Sequence, residues 1–226
     1  MKSRDSSAIN RYDFITAMRG IAALCVVLQH MYERKLSFFH DFTSLYFQFG
    51  VFAVSLFFLI SGFIIPVSLS ASGSLLSFWI KRIFRIYPLY IFSYVLACVL
   101  VYVGWHSVVR QGVLDFFVSM TMLNKFLGVP MVLGVYWTLG FEMIFYLTTS
   151  LIFFLELRLS RAAISLVFMF FCLLVSLFVN GGHAVLMYFS CLFFGGAINE
   201  YYNKVISARY FFVVFLFFWL FCLFRL

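Results

Sequence analysis

The most informative absence in this sequence of 226 residues is charge. Asp and Glu together number 8, Lys and Arg number 16, and charged residues make up 11% of the chain. Hydrophobic residues make up 65%, and the mean hydropathy is +1.07. Because soluble domains average about 25% charged residues, a soluble enzyme is excluded. The composition predicts an integral membrane protein, with apolar spans joined by short polar connectors.

Several motifs of soluble enzymes are also missing. The sequence has no Gly-x-Ser-x-Gly elbow, no phosphate-binding glycine loop and no His-Glu-x-x-His pair. Its five cysteines lie in apolar runs without a Cys-x-x-Cys pair, so we expect no metal cofactor. No internal repeat or Pro-rich linker divides the chain. We therefore predict a single membrane domain over 1–226, which begins with a polar arm at 1–13.

Apolar runs of spanning length predict an all-α fold, a polytopic transmembrane helix bundle with about seven spans. An eighth run, 113–123, covers only about 16 Å, roughly half of a hydrocarbon core, so we interpret it as a short re-entrant or interfacial segment. The predicted spans are 14–32, 46–69, 88–104, 135–155, 162–180, 184–199 and 210–226.

The distribution of the basic residues behind the net charge of +8 indicates the topology. With seven spans and a cytoplasmic N-terminus, ten basic residues lie in inner segments and four in outer ones. If 113–123 counted as a full span, the two sides would hold seven each. The positive-inside rule therefore favours seven spans, in the plasma (inner) membrane. We expect attraction to anionic lipid and no nucleic-acid partner.

Few ionisable residues lie inside the predicted spans. Arg19 and Glu142 are at membrane depth, and His30 lies near the outer end of the first span. Eleven residues separate Arg19 from His30, which places both on one helix face about 16 Å apart. Glu142 lies at a depth similar to that of His30. The pair could act as a general base oriented by a carboxylate, or could fix helix packing through an interhelical contact.

A predicted inner loop at 70–85 carries three basic residues in "FWIKRIFRIYPLY". Arg82 and Arg85 are one helical turn apart, a geometry that suits a phosphate or pyrophosphate, and Lys81 precedes them. The alternative is a membrane anchor whose side chains reach the lipid phosphates.

Small residues within the spans predict close helix packing. They are Ser61 in "LISGF", Gly20, Gly195 and Gly196.

Four segments together resemble the acyltransferase 3 family of membrane acyltransferases, which O-acylate cell-surface glycans. The segments are "RYDFITAMRGIAALCVVLQH", "GVFAVSLFFLISGFII", "FWIKRIFRIYPLY" and "VYWTLGFEMIFYL", in the order of the family. The resemblance implies acyl transfer, with acetyl as the expected group, from acyl-CoA to a hydroxyl of a surface polysaccharide or lipid-linked sugar.

The same resemblance assigns roles to individual residues. It implies that His30 is the general base, that Arg19 belongs to the same motif of the first span, and that Glu142 is the acidic residue after the Trp-Thr-Leu segment. It also implies that Arg82 and Arg85 contact the phosphates of acyl-CoA.

Family members usually carry about ten spans, and this sequence stops within an apolar run, so we expect the C-terminal spans of the family to be missing. Two other hypotheses stay open: a transporter or flippase for a lipid-linked sugar, and an inactive truncated relic. The sequence leaves open whether an oligomer or a partner subunit is needed.

Overall fold

The computed structural model describes residues 6–33, 49–103, 112–155, 160–178 and 183–223. Within these ranges all regular elements are helical, which confirms the all-α prediction. In chain order they are α1 (Ser6–Glu33), α2 (Phe49–Ser72), α3 (Leu75–Tyr102), α4 (Val113–Met120), α5 (Asn124–Leu127), a 3-10 turn (Gly134–Tyr136), α6 (Trp137–Phe154), α7 (Arg161–Phe178), α8 (His183–Tyr202) and α9 (Ala208–Leu223).

Three helical stretches among the described residues are long and apolar enough to cross a membrane, namely Gly50–Ser72, Leu75–Leu100 and Gly134–Phe154. These stretches support the membrane assignment, but the count of seven spans is not confirmed. α4 has eight residues and is about 12 Å long, in keeping with the short segment expected at 113–123. Its re-entrant or interfacial position stays a prediction.

The predicted inner loop at 70–85 is wrong. The connector between α2 and α3 is only Gly73 and Ser74, and Lys81, Arg82 and Arg85 lie on α3. Gly73 adopts a left-handed φ of +70°, which ends α2, and the Ser74 hydroxyl accepts a hydrogen bond of 3.2 Å from the backbone N–H of Ser77, which caps α3. The basic residues interrupt the apolar run without interrupting the helix.

The polar arm at 1–13 stays a prediction, and α1 already begins within it, at Ser6. Helix α8 continues to Tyr202 and α9 begins at Ala208, so the connector between them covers only 203–207. In both places polar residues occupy helix ends, where side chains can reach water.

The chain forms two compact units. The first unit comprises Met1–Ile64 together with Leu159–Leu226, and the second comprises Ile65–Arg158. Helix α2 contributes residues to both units. The single domain over 1–226 stays a prediction.

In the first unit α2 and α8 touch through their backbones. A Cβ on Gly62 would overlap the carbonyl oxygen of Leu192, and a Cβ on Gly195 would overlap that of Leu59. Glycine is therefore required at both positions because no side chain fits between the helices.

Most of the small residues predicted to pack closely do so. Ser61 is fully buried, and a Cβ on Gly196 would lie 3.4 Å from the Cβ of Arg161. Gly20 is the exception, because no atom of the described residues lies within 4 Å of the position that its Cβ would take. The close packing predicted at Gly20 is therefore wrong for the part of the chain that the structure describes.

A carboxylate from α8 caps α7 in the first unit. Glu200 accepts hydrogen bonds from the backbone N–H groups of Arg161 (2.6 Å) and Ala162 (2.9 Å) and from the hydroxyl of Ser160 (2.8 Å). These N–H groups have no partner within their own helix, and a negative charge is favourable at a helix N-terminus. Glu200 therefore fixes the start of α7 against the end of α8.

In the second unit two tyrosines of α3 hold the end of α4. The hydroxyl of Tyr90 donates to the carbonyl of Ser119 at 2.6 Å, and that of Tyr87 donates to the carbonyl of Met120 at 2.8 Å. The last carbonyls of a helix lack partners within it, so these two bonds satisfy groups that lipid could not. The short helix is thereby anchored to α3 by polar contacts.

Candidate active site

Helix α6 buries a carboxylate in the second unit. Glu142 is 3% exposed, and Tyr146, one turn later, is 1% exposed. The hydroxyl of Tyr146 donates a hydrogen bond of 3.0 Å to Oε2 of Glu142. The i, i+4 spacing places both side chains on the same helix face. Glu142 therefore faces the interior of this unit.

Helix α3 buries a guanidinium group in the same unit. Arg82 is 5% exposed, and its Cζ lies 5.3 Å from the ring centroid of Phe78 and 5.5 Å from that of Tyr146. Its Nη1 is buried, and no residue of the described ranges accepts a hydrogen bond from it. Two aromatic rings thus replace part of the solvation that the cation has lost, and one N–H group is left for a further acceptor.

These side chains form one buried group, which we call the Arg82 cluster: Phe78, Arg82, Glu142 and Tyr146. The rings of Phe78 and Tyr146 are 6.0 Å apart at an interplanar angle of 82°, an edge-to-face contact. Tyr146 contacts the guanidinium with its ring and the carboxylate with its hydroxyl. The structure therefore brings two predicted site residues, Arg82 and Glu142, onto one tyrosine.

The sequence reasoning did not find Tyr146. It is one of 13 tyrosines in the chain, and its i+4 distance from Glu142 was the available signal. A polar side chain one turn from an intramembrane carboxylate is a candidate partner for it.

The three basic residues of α3 do not share one environment. Lys81 and Arg85 are exposed, whereas Arg82 is buried. At about 100° per residue, Arg82 and Arg85 differ by about 60° around the helix, so the boundary of the buried face passes between them. Joint phosphate binding by Arg82 and Arg85 stays a prediction, with one guanidinium inside the protein and the other at its surface.

The first unit carries the two predicted residues of α1. Arg19 is half-buried, and its Cζ lies 4.7 Å from the ring centroid of Phe57 on α2, a cation–π contact. The backbone of His30 belongs to α1, but its side chain lies outside the described residues. The predicted meeting of His30 with Glu142 therefore stays a prediction.

The turn of chain around α5 packs against α6 one turn before Glu142. The Nζ of Lys125 lies 4.9 Å from the ring centroid of Trp137, and the rings of Phe126 and Phe141 are 5.2 Å apart. A Cβ on Gly140 would come within 2.8 Å of the carbonyl oxygen of Met122, so the backbones approach closely there. This segment covers the start of α6 with aromatic rings and one exposed cation.

Comparison with known proteins identifies the family. The family model described as an acyltransferase domain matches residues 12–226. The chain belongs to the acyltransferase 3 family. The match contains all of the predicted site residues, in the first unit and in the second. No solved structure matches the chain.

Two curated relatives cover parts of the chain. Acyltransferase MdmB of Streptomyces mycarofaciens is 31% identical over 156 residues, which is 62% of this chain and 39% of that protein. Nodulation protein 10 of Rhizobium leguminosarum bv. viciae is 32% identical over 129 residues, which is 48% of this chain and 35% of that protein. The matched part is thus less than two fifths of the length of either curated relative.

Membership of the acyltransferase 3 family gives the buried charges a chemical context. Ionisable side chains at membrane depth usually face a functional cavity or one another. In this acyltransferase-family chain, a carboxylate and a guanidinium are both buried in apolar helices and both touch Tyr146.

Proposed function

We propose that this chain is a membrane acyltransferase that moves an acyl group, acetyl by preference, from acyl-CoA to a hydroxyl of a cell-surface polysaccharide or lipid-linked glycan. The observation that carries the proposal is the Arg82 cluster, which buries a cation and a carboxylate in two apolar helices of an acyltransferase-family chain. Ionisable side chains buried among apolar helices usually have a functional reason.

The residues present fit an anionic donor. Arg82 has a buried N–H group with no hydrogen-bond acceptor among the described residues, and exposed Lys81 and Arg85 flank it on the same helix. Guanidinium groups bind phosphate oxygens through charge-assisted hydrogen bonds. Lys81, Arg82 and Arg85 would therefore hold the phosphates of acyl-CoA on the cytoplasmic side of the membrane.

The transfer itself needs a base for the hydroxyl proton and a group that stabilises this base once it is protonated. The oxygen of the acceptor hydroxyl forms a bond to the thioester carbonyl carbon, and the bond from that carbon to the CoA sulfur breaks. The hydroxyl proton passes to His30 and then to the departing thiolate. Glu142 would orient the imidazole and stabilise its protonated form, and Arg19 would line the path of the donor from inside.

The proposal places the protein in the plasma (inner) membrane with a cytoplasmic N-terminus. Basic residues concentrate in the connectors that this orientation puts inside, which supports the assignment. The donor then arrives from the cytoplasm, where acyl-CoA is made, and the glycan acceptor from the other side. Membrane lipid is the surrounding partner.

Replacement of the proposed base tests the function. We expect His30→Ala to lower the O-acetyl content of the surface glycan to background, because the acceptor hydroxyl loses its proton acceptor. His183→Ala is the matched control and should keep wild-type acetylation. Ester-linked acetate released by mild alkali is the measurement, with the amount of protein in the membrane determined in parallel.

Two outcomes would overturn the proposal. Retained acetylation in His30→Ala, at wild-type membrane levels, would show that His30 is not the base. Loss of the surface glycan itself, rather than of its acetate, would instead indicate a transporter of a lipid-linked sugar.

A further inference from the structure

We infer that Tyr146 is a positioning residue of the transfer site, which holds the carboxylate of Glu142 with its hydroxyl and the guanidinium of Arg82 with its ring. The inference rests on the proposed function. Tyr146 lies within the quoted segment "VYWTLGFEMIFYL", in which the resemblance gave a role to Glu142 and none to Tyr146.

Within the described ranges, the ring of Tyr146 is one of two aromatic rings that lie against the guanidinium of Arg82. The guanidinium lies over two rings, those of Phe78 and Tyr146, at 5.3 and 5.5 Å, and its Nη1 has no acceptor among the described residues. A desolvated guanidinium gains more from an aromatic face than an exposed one does. The two rings therefore fix where the cation sits while they leave an N–H group available to an anion.

The hydroxyl of Tyr146 fixes the second charge. It donates to Oε2 of Glu142 at 3.0 Å, and both residues are almost fully buried. A carboxylate can only accept hydrogen bonds, so a buried hydroxyl donor satisfies one of its oxygens where no water is present. The same bond restricts the rotamer of Glu142, because Oε2 is held against Tyr146.

The two contacts support each other. When a phenol donates a hydrogen bond to a carboxylate, its ring becomes more electron-rich, and a more electron-rich ring attracts a cation more strongly. Tyr146 therefore couples the position of Arg82 on α3 to that of Glu142 on α6. Donor binding and proton transfer would in this way share one rigid support.

Two substitutions separate the roles of hydroxyl and ring. Tyr146→Phe keeps the ring over Arg82 and removes the bond to Glu142, so kcat should fall about tenfold or more while the KM for acetyl-CoA stays within about twofold. Tyr146→Leu removes both contacts, so the KM should also rise about tenfold. Tyr90→Phe is the matched control, since Tyr90 is another buried tyrosine that donates a short hydrogen bond, and neither constant should change.

The measurement is CoA thiol release from acetyl-CoA by the full chain in membranes that carry the native acceptor. Rates are expressed per folded protein, with the folded amount taken from fluorescence-detected gel filtration. The inference is supported if Tyr146→Phe lowers kcat alone and Tyr146→Leu also raises the KM for acetyl-CoA. A purely structural role would lower the folded amount in both variants and leave both constants unchanged.

Failure of the inference and failure of the proposed function look different. An active wild-type protein with unchanged constants in Tyr146→Phe would overturn the inference alone. A wild-type protein that neither binds acetyl-CoA nor transfers its acetyl group would overturn the proposed function, and the inference with it.

Discussion

At the scale of single residues, the environment of Arg82 differs sharply from that of Arg85. Arg82 is 5% exposed and lies within 5.5 Å of the centroids of two aromatic rings, whereas Arg85 lies on the exposed side of α3. A planar guanidinium can lie against a ring and bind an anion with two N–H groups at its edge, whereas an ammonium group offers no such two-point geometry. The two arginines should therefore respond differently to the same substitution.

We expect Arg82→Lys to weaken acetyl-CoA binding by about tenfold, or about 1.4 kcal/mol, because an ammonium group cannot reproduce the planar guanidinium that lies against Phe78 and Tyr146. Arg85→Lys keeps an exposed positive charge and should change binding by less than about threefold. Isothermal titration of the detergent-solubilised protein with acetyl-CoA measures both. Equal effects of the two substitutions would contradict the distinct roles.

The sequence predicted some of these residues and not others, for a physical reason. Glu142 stands out because a carboxylate in an apolar span is costly, and the structure buries it. Tyr146 does not stand out, because a tyrosine is compatible with lipid, with the interface and with the protein interior alike. Its role depends on which atoms lie around it, which spacing along one helix indicates only in part.

At the scale of helices, the crossing of α2 with α8 depends on two glycines. Replacement of Gly62 or Gly195 by Ala would place a methyl group against the backbone of the opposite helix. Gly20→Ala is the matched control, because it has open space around it within the described residues and lies in a helix, where Ala is favoured over Gly by about 1 kcal/mol.

We expect Gly62→Ala and Gly195→Ala each to lower the thermal unfolding temperature and the membrane level of the protein, at about 2 kcal/mol or more of destabilisation. Gly20→Ala should leave both unchanged or raise them. Thermal denaturation in detergent, followed by tryptophan fluorescence, measures the effect. Wild-type stability in Gly62→Ala would show that the helices do not approach as closely as described.

Apolar run length predicts where helices exist better than where they begin. The third span was expected at 88–104, yet α3 begins at Leu75, because Lys81, Arg82 and Arg85 end the apolar run but continue the helix. Long basic side chains can extend along a helix towards water or a partner, so a charge need not mark a helix end. The Gly73–Ser74 pair carried the true boundary signal, since glycine ends helices and serine begins them.

At the scale of the whole molecule, the described surface is strongly apolar. Phe84, Leu89 and Phe92 of α3 are 75%, 72% and 66% exposed. Side chains of this kind, repeated along a helix, require lipid or another protein around them. The composition predicted this surface, whereas the number of spans could not be settled, because helices such as α1, α7 and α9 contain shorter apolar stretches.

Accessibility tests the predicted orientation. In a variant without native cysteines, Val205→Cys in the connector between α8 and α9 should react with an impermeant maleimide only in inverted vesicles, since positive charge places this connector inside. Gly112→Cys, just before α4, should react in intact cells. Labelling of both from the same side would contradict the topology.

The contact between Glu200 and the start of α7 also affects the order in which the helices can pack during synthesis. Ser160 and Glu200 are 40 residues apart, so the ribosome has completed α7 well before it adds the carboxylate that caps it. Until then the first N–H groups of α7 must bind water or lipid headgroups. We therefore expect α7 to reach its final packing against α8 only once α8 has been synthesised.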